Sequence, residues 1–328
     1  MIGGPSVVAA VPLRTRVTTW HAGGSPALAL SSGSPLYRAR LVPAGQAAQR
    51  RYDGDVLDYM QAATWVTLRD AGRIAGTVVT AYTDLPVSAG LSSSACITLA
   101  VVAALDGLRG GGALDVAQVC DLARQAEVGE LGSGAGWMDF LACAHGGVNR
   151  IDAGSDPTAH RLAPHLGIPV VVIDTLERRA TKAALASKRE RFRAGEADMV
   201  AYARQMPRLV DAVTTALTAQ SVDYQEVGHL LSTAHTLLRD KVRCSTELIE
   251  TCIQRVSAAG AFGAKLSGSG HGGCLFALVP ASALTAVLQA VQDLPVHALA
   301  LPASEPDGLV SVTAETGSRP RTAPDRQG

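Results

Sequence analysis

The chain has 328 residues, 47% of them apolar and 18% charged, and its formal net charge is zero. That is a globular composition with room for two cores, and it excludes a disordered chain. No basic patch or arginine-aromatic interleaving stands out, so nucleic acid is not an expected partner.

In chain order, PSVVAAVPLRTRVTTWHA and ARLVPA read as strands, and GRIAGTVVTAYTDLP as a strand pair. From Ser94 a helix runs through CITLAVVAALDGL to the glycines at 110–112. LDVAQVCDLARQAEVGEL is an amphipathic helix capped by Asp115, and MDFLACAHGG is a shorter one that leads into the strand VNRID. IPVVVIDT is a buried strand by its β-branched run, and residues 178–217 read as one long charged helix. Two more helices follow, VGHLLSTAHTLLRDKV and STELIETCIQRVSAAG, the second opening on Ser245. The strand CLFALVP, the helix ASALTAVLQAVQDL and the strand GLVSVTAE complete the pattern. Strands and helices mixed without strict alternation give an α+β fold in two halves. The boundaries expected are 1–160, 161–315 and a disordered tail at 316–328, rich in Pro, Arg, Ser and Gly.

Six cysteines stand apart, with no Cys-x-x-Cys pair and no zinc spacing, and read as buried free thiols. There is no signal-peptide pattern and no apolar run long enough for a bilayer. A soluble cytoplasmic protein without a membrane partner is the expectation.

Two segments carry the chemical signal. In PVSAGLSSSA, Pro86 to Ala95, serines and glycine precede a helix, and the free amides of a helix start form a seat for phosphate. A plain serine cap is the simpler alternative. In AKLSGSGHGGCLFAL, Gly268, Gly270 and Gly273 fit a dinucleotide fingerprint, but they lead into a strand rather than a helix, so that reading fails. Neither segment ends in the Gly-Lys-Ser/Thr of a Walker loop.

Together the two segments resemble the GHMP kinases, the superfamily of galactokinase, homoserine kinase, mevalonate kinase and phosphomevalonate kinase. Pro86, Gly90, Leu91, Ser93, Ser94 and Ala95 match the family's second motif; Lys265, Ser267, Gly268, Ser269, Gly270, Gly272, Gly273 and Cys274 match its third. QAEVGELGSGAGWMDF adds Glu127, Gly136, Met138 and Asp139 in a galactokinase-like pattern. The resemblance implies a two-domain GHMP kinase fold, with a ribosomal-protein-S5-domain-2-like first half and a ferredoxin-like second half.

It also implies an ATP- and Mg²⁺-dependent kinase. Pro86, Ala89, Gly90, Leu91, Ser92, Ser93, Ser94 and Ala95, with Gly268, Ser269, Gly270, Gly272 and Gly273, would hold the nucleotide phosphates. Ser94 and Glu127 would hold Mg²⁺, and Asp139 would take the acceptor's proton. Read alone, Glu127 is a solvated helix carboxylate and Asp139 a helix cap; in register with both glycine motifs they read as site residues. The expected acceptor is a small molecule, most readily a sugar, and a mevalonate-type kinase or a catalytically silent nucleotide- or sugar-binding relative is the rival. A monomer or homodimer is expected. GGPSVVAAVPLRTRV resembles the end of the family's first motif, whose preceding strand and loop ordinarily carry a basic residue beside the reacting hydroxyl. Asp174 and Arg179 are further candidates near the substrate, and no role is assigned to His145, His229, His235 or His271.

Overall fold

The structure, a computed structural model, describes residues 4–33, 38–43, 45–46, 49–85, 90–177, 181–303 and 308–310. The expected tail, Arg179, and Pro86 and Ala89 of the first glycine segment lie outside the described residues.

The first half opens with β1 (Ser6–Ala9), β2 (Thr15–His21), β3 (Ala27–Ser32) and β4 (Arg38–Pro43). A helix, α1 (Val56–Leu68), then crosses to β5 (Thr77–Thr83), which lies parallel to β3. The sheet order is β2-β5-β3-β4. The sequence gives no clear sign of α1, and the reason is its burial: ten of its thirteen residues are buried, so it has no broad polar face to mark the helical period. The strand pair expected across GRIAGTVVTAYTDLP is a turn followed by β5 alone, with Gly72 and Gly76 at positive φ.

Next come α2 (Ser93–Arg109), ended by Gly110 at φ 76°, and α3 (Val116–Arg124). Asp115 caps α3 through a reciprocal capping box with Gln118, as expected. The expected continuation of α3 differs: Gln125–Glu130 widens into a π-helical turn. The helix α4 (Trp137–His145) leads into β6 (Val148–Asp152) and β7 (Thr158–Ala163), which join β1 in a second sheet ordered β1-β6-β7. Packed against β2, α1, α3 and α4, α2 is the central helix of this half.

In the second half, β8 (Val170–Asp174) is followed by four helices: α5 (Thr181–Arg193), α6 (Ala197–Leu217), α7 (Tyr224–Leu237) and α8 (Glu247–Ala258). The single helix expected over residues 178–217 is two, parted at Gly195, which sits at φ 70°. Thr246, not Ser245, caps α8, its hydroxyl accepting from the Ile249 amide. Then come β9 (Gly263–Leu266), β10 (Cys274–Leu278), the short α9 (Leu284–Gln289) and β11 (His297–Leu301). The antiparallel sheet β11-β8-β10-β9 has the strand order of a ferredoxin-like split βαβ unit.

Each half has its own apolar core, and a third cluster joins them: Val148 from β6 with Val170 and Val172 from β8 and Leu278 from β10, with Val7, Ala9 and Leu91 packed alongside. Residues 308–310 are not a strand; they return to the first half, where the Leu309 amide donates to the Ala144 carbonyl at 2.9 Å. Among the described residues no helix is long and apolar enough to cross a membrane.

Candidate active site

The two glycine segments, almost 180 residues apart in sequence, meet backbone to backbone. The Ser267 hydroxyl donates to the Gly90 carbonyl at 3.0 Å. Gly90 and Gly268 both sit at positive φ, and a Cβ on Gly268 would stand 2.9 Å from the Gly90 Cα. Any side chain there would force the loops apart, which is the physical reason for glycine at both positions. Ser92 (φ 58°) and His271 (φ 62°) share this left-handed conformation without being glycine. Such strain is tolerated where the surrounding structure fixes the chain, and it gathers at functional sites.

Ser92 occupies the N-cap position of α2, yet its side chain makes no capping hydrogen bond. Its hydroxyl instead donates to Asp139 Oδ1 at 2.5 Å. From the second residue of α2, the Ser94 hydroxyl donates to Glu127 Oε1 at 2.9 Å. The simple serine cap is thus not how these residues are used. Both carboxylates arrive from the far side: Glu127 from the π-helical turn after α3, Asp139 from the first turn of α4, where Gly136 rather than Asp139 is the cap.

Burial decides the electrostatics of this pair. Glu127 is 3% exposed, and desolvation pushes its carboxyl up to about 7, with the Asp139 charge adding and the Ser94 and Ser133 hydroxyls partly offsetting it. Asp139 is also raised, by burial first, with the Ser92 hydrogen bond opposing. Glu127 Oε2 is buried and has no hydrogen-bond partner among the described residues. A buried carboxylate oxygen left open is costly unless something binds it, and a hard cation fits. No cluster of three or more His, Cys, Asp or Glu that could hold a metal occurs among the described residues.

The opposite wall is cationic. Lys188 of α5, only 2% exposed, donates from Nζ to the Ser269 carbonyl in the third-motif loop. Lys265 donates to the Leu266 carbonyl at 2.9 Å and lies 5.8 Å over the Phe276 ring. Desolvation lowers both ammoniums, that of Lys265 to about 8. Neither makes an ion pair with a carboxylate among the described residues. One buried and one half-buried cation, neither paired with a carboxylate among the described residues, stand beside a glycine loop and leave that wall positively charged and open to an anion.

One cavity is lined by Gly90, Ser92, Ser93, Ser94, Glu127 and Asp139 on one side, and by Lys188, Lys265, Gly268, Ser269, Gly270, Gly272 and Gly273 on the other. Leu91 lines it too, while Ala95 is buried in the core behind it. Arg14, after β1, also borders this cavity and donates to the Gly308 carbonyl at 3.2 Å. Sequence reasoning missed Lys188: SKRERF reads as a solvated charged face, and no local pattern marks its second residue as buried. It also missed the Ser92–Asp139 contact, which joins residues 47 apart. His145 is exposed; His235 is buried and paired with Glu250 at 2.8 Å, a structural contact. Asp174 accepts from the Leu176 amide at 2.9 Å at the end of β8.

Comparison with known proteins bears on the family and the fold. The family model of the GHMP kinases N terminal domain matches residues 58–147, and that of the GHMP kinases C terminal matches residues 215–296. The mevalonate kinase of Thermococcus sibiricus is 29% identical over 293 residues, 85% of this chain and 84% of that one. The galactokinase of Pyrococcus furiosus is 27% identical over 255 residues, covering 69% of this chain and 71% of its own length. Among solved structures, Lactococcus lactis galactokinase complexed with galactose superposes with a TM-score of 0.78 at 20% identity, over 93% of this chain and 89% of that one. The Methanococcus jannaschii mevalonate kinase gives 0.77 at 18% identity, over 92% of each chain. The chain belongs to the GHMP kinases, the ATP-dependent small-molecule kinases with this two-domain fold.

Proposed function

We propose that this protein transfers the γ-phosphoryl group of ATP to a hydroxyl of a small branched hydroxy acid of the mevalonate type. The observation that carries the transfer is the pairing at the start of α2: Ser92 with Asp139 at 2.5 Å, and Ser94 with Glu127 at 2.9 Å. In this reading the amides from Gly90 through the first turn of α2, and those of the Gly268–Gly273 loop, hold the phosphates. Lys188 and Lys265 neutralise their charge from the second wall. Ser94 and Glu127 would hold Mg²⁺, which supplies charge neutralisation at the phosphates when bound. Asp139 orients the acceptor hydroxyl and takes its proton at Oδ, a task its raised pKa suits. Ser92 keeps that carboxylate aimed at the phosphate seat.

The acceptor class is supported by the relatives, since the mevalonate kinase match spans more of the chain than the galactokinase match. Val11, Leu13, Trp137, Met138 and Ala142 are among the residues lining the cavity, and apolar lining suits a short branched carbon skeleton better than a ring of hydroxyls. A sugar is the second reading, favoured by Gly136, Met138 and Asp139 at galactokinase-like spacing. A coupled ADP-release assay with mevalonate, galactose and homoserine tests both. Turnover of mevalonate, at a kcat/KM at least tenfold above galactose, supports the first reading. The reverse ratio overturns it in favour of the second.

A further inference from the structure

Directly behind the acidic wall lies a pair of thiols that the phosphotransfer does not use. Cys96 on α2 and Cys143 on α4 face each other with their sulfurs 3.2 Å apart. Each lies four residues, about one helical turn, beyond a member of the Ser92–Asp139 pair. The two contacts are therefore successive rungs between the same two helices, and each links residues 47 apart. Whatever moves the lower rung moves the upper one.

We propose that Cys96 and Cys143 form a peroxide-sensitive dithiol that closes to a disulfide and, in closing, pulls Asp139 and Ser92 out of their working geometry. Both thiols are half-buried and both line the active-site cavity, so a small hydroperoxide reaches them from the open site. The other four cysteines are buried. The chemistry balances in two steps. One thiol and hydrogen peroxide give a sulfenic acid and water; the sulfenic acid and the neighbouring thiol then give the disulfide and a second water. Peroxide is reduced, the two sulfurs are oxidised, and an external thiol reverses the change. A disulfide holds its sulfurs at about 2.05 Å, so the pair must approach by about an ångström. Side-chain rotation supplies part of that and helix displacement the rest, within a core where α2 packs on α4. A misplacement of this size near reacting groups costs up to about a hundredfold in rate.

The effect on turnover rests on the phosphotransfer reading; formation of the bond does not. The test treats the fully reduced, full-length protein with hydrogen peroxide, removes the excess with catalase, alkylates, and digests without reduction. The expected result is a linked Cys96–Cys143 peptide pair and a fall in kcat of about tenfold or more. Dithiothreitol restores turnover, and Cys143→Ala and Cys96→Ser abolish both the link and the loss. Peptides carrying two alkylated cysteines after peroxide overturn the proposal, as does linked protein that turns over at the reduced rate. A loss that persists in Cys143→Ala overturns it as well. Were the reduced chain to phosphorylate no acceptor, the proposed function would fall. Peptide mapping would then decide the dithiol by itself, linked peptides upholding it and alkylated ones overturning it.

Discussion

The two walls of the cavity face each other across the same space and are built on opposite plans. The α2 wall works through side chains: the hydroxyls of Ser92 and Ser94 are held by the carboxylates of Asp139 and Glu127. The third-motif wall works through backbone, with glycines that let the loop approach Gly90 and a carbonyl held by the ammonium of Lys188. Under the proposed function the acidic wall handles the proton and the cation, and the basic wall receives the polyanion. In that reading a triphosphate would align between such walls by charge before any specific contact forms. Substitutions on the acidic wall should accordingly alter kcat and pH behaviour, and those on the basic wall should alter nucleotide affinity.

The sharpest way to break this contrast is Asp139→Asn. The isosteric amide keeps the Ser92 contact but cannot take a proton, so kcat should fall about a thousandfold while KM for ATP changes little. Steady-state kinetics at saturating acceptor read both values. Unchanged turnover would remove Asp139 from the chemistry and with it the division between the walls.

Next in size is the pH response of the nucleotide- and metal-free protein. Glu127 has its folded carboxyl raised from 4.5 to about 7, so between those values the folded state binds more protons than the unfolded one. Stability from this group is therefore full below about pH 4.5 and is lost as pH rises through about 7. The loss approaches about 3 kcal/mol. Glu127→Gln, neutral at every pH, should flatten that part of the profile. Thermal unfolding of both proteins across this range, with EDTA present, makes the comparison. Parallel slopes would show that the burial of Glu127 is relieved without protonation.

How much of this site was legible in the sequence follows the same division. The α2 wall sits on contiguous motifs, Gly90–Ala95 and Gly136–Asp139, because a helix start and a helix first turn present their groups at fixed local spacing. Glu127 was legible only in register with them; its projection depends on the π-helical turn, which no periodicity in QAEVGE announces. Lys188 was not legible at all. Its burial depends on α5 lying over a loop some eighty residues further along the chain, a tertiary fact with no local trace. The fold divides likewise. Amphipathic or β-branched elements such as α3 and β8 were read correctly, whereas the buried α1 and the short β3, β7 and β11 were not. Burial on all sides erases the helical period of α1, and β3 (ALALSS), β7 (TAHRLA) and β11 (HALAL) carry almost none of the β-branched residues by which a strand is read.

The mildest expected change tests the basic wall. Lys188→Met keeps the length and apolar stem of the side chain and removes the ammonium. In the free protein this charge has no carboxylate partner among the described residues, so its desolvation is only partly offset by the Ser269 carbonyl and the neighbouring Cys244 thiol. Losing it should leave the free protein as stable as before or raise its stability by about 1 kcal/mol. The same change removes a cation from the phosphate seat, so KM for ATP should rise about tenfold while kcat at saturating ATP changes far less. The pair of signs is the discriminating feature. A lysine that merely packs α5 against the loop would lower Tm and leave nucleotide affinity alone; a charge kept for an anion does the opposite. Thermal shift with and without ATP, on the wild type and the variant, reads both signs in one experiment. A variant that loses stability but keeps the full ATP-induced shift would mean that the basic wall is structural, and that the phosphates are held by the backbone amides alone.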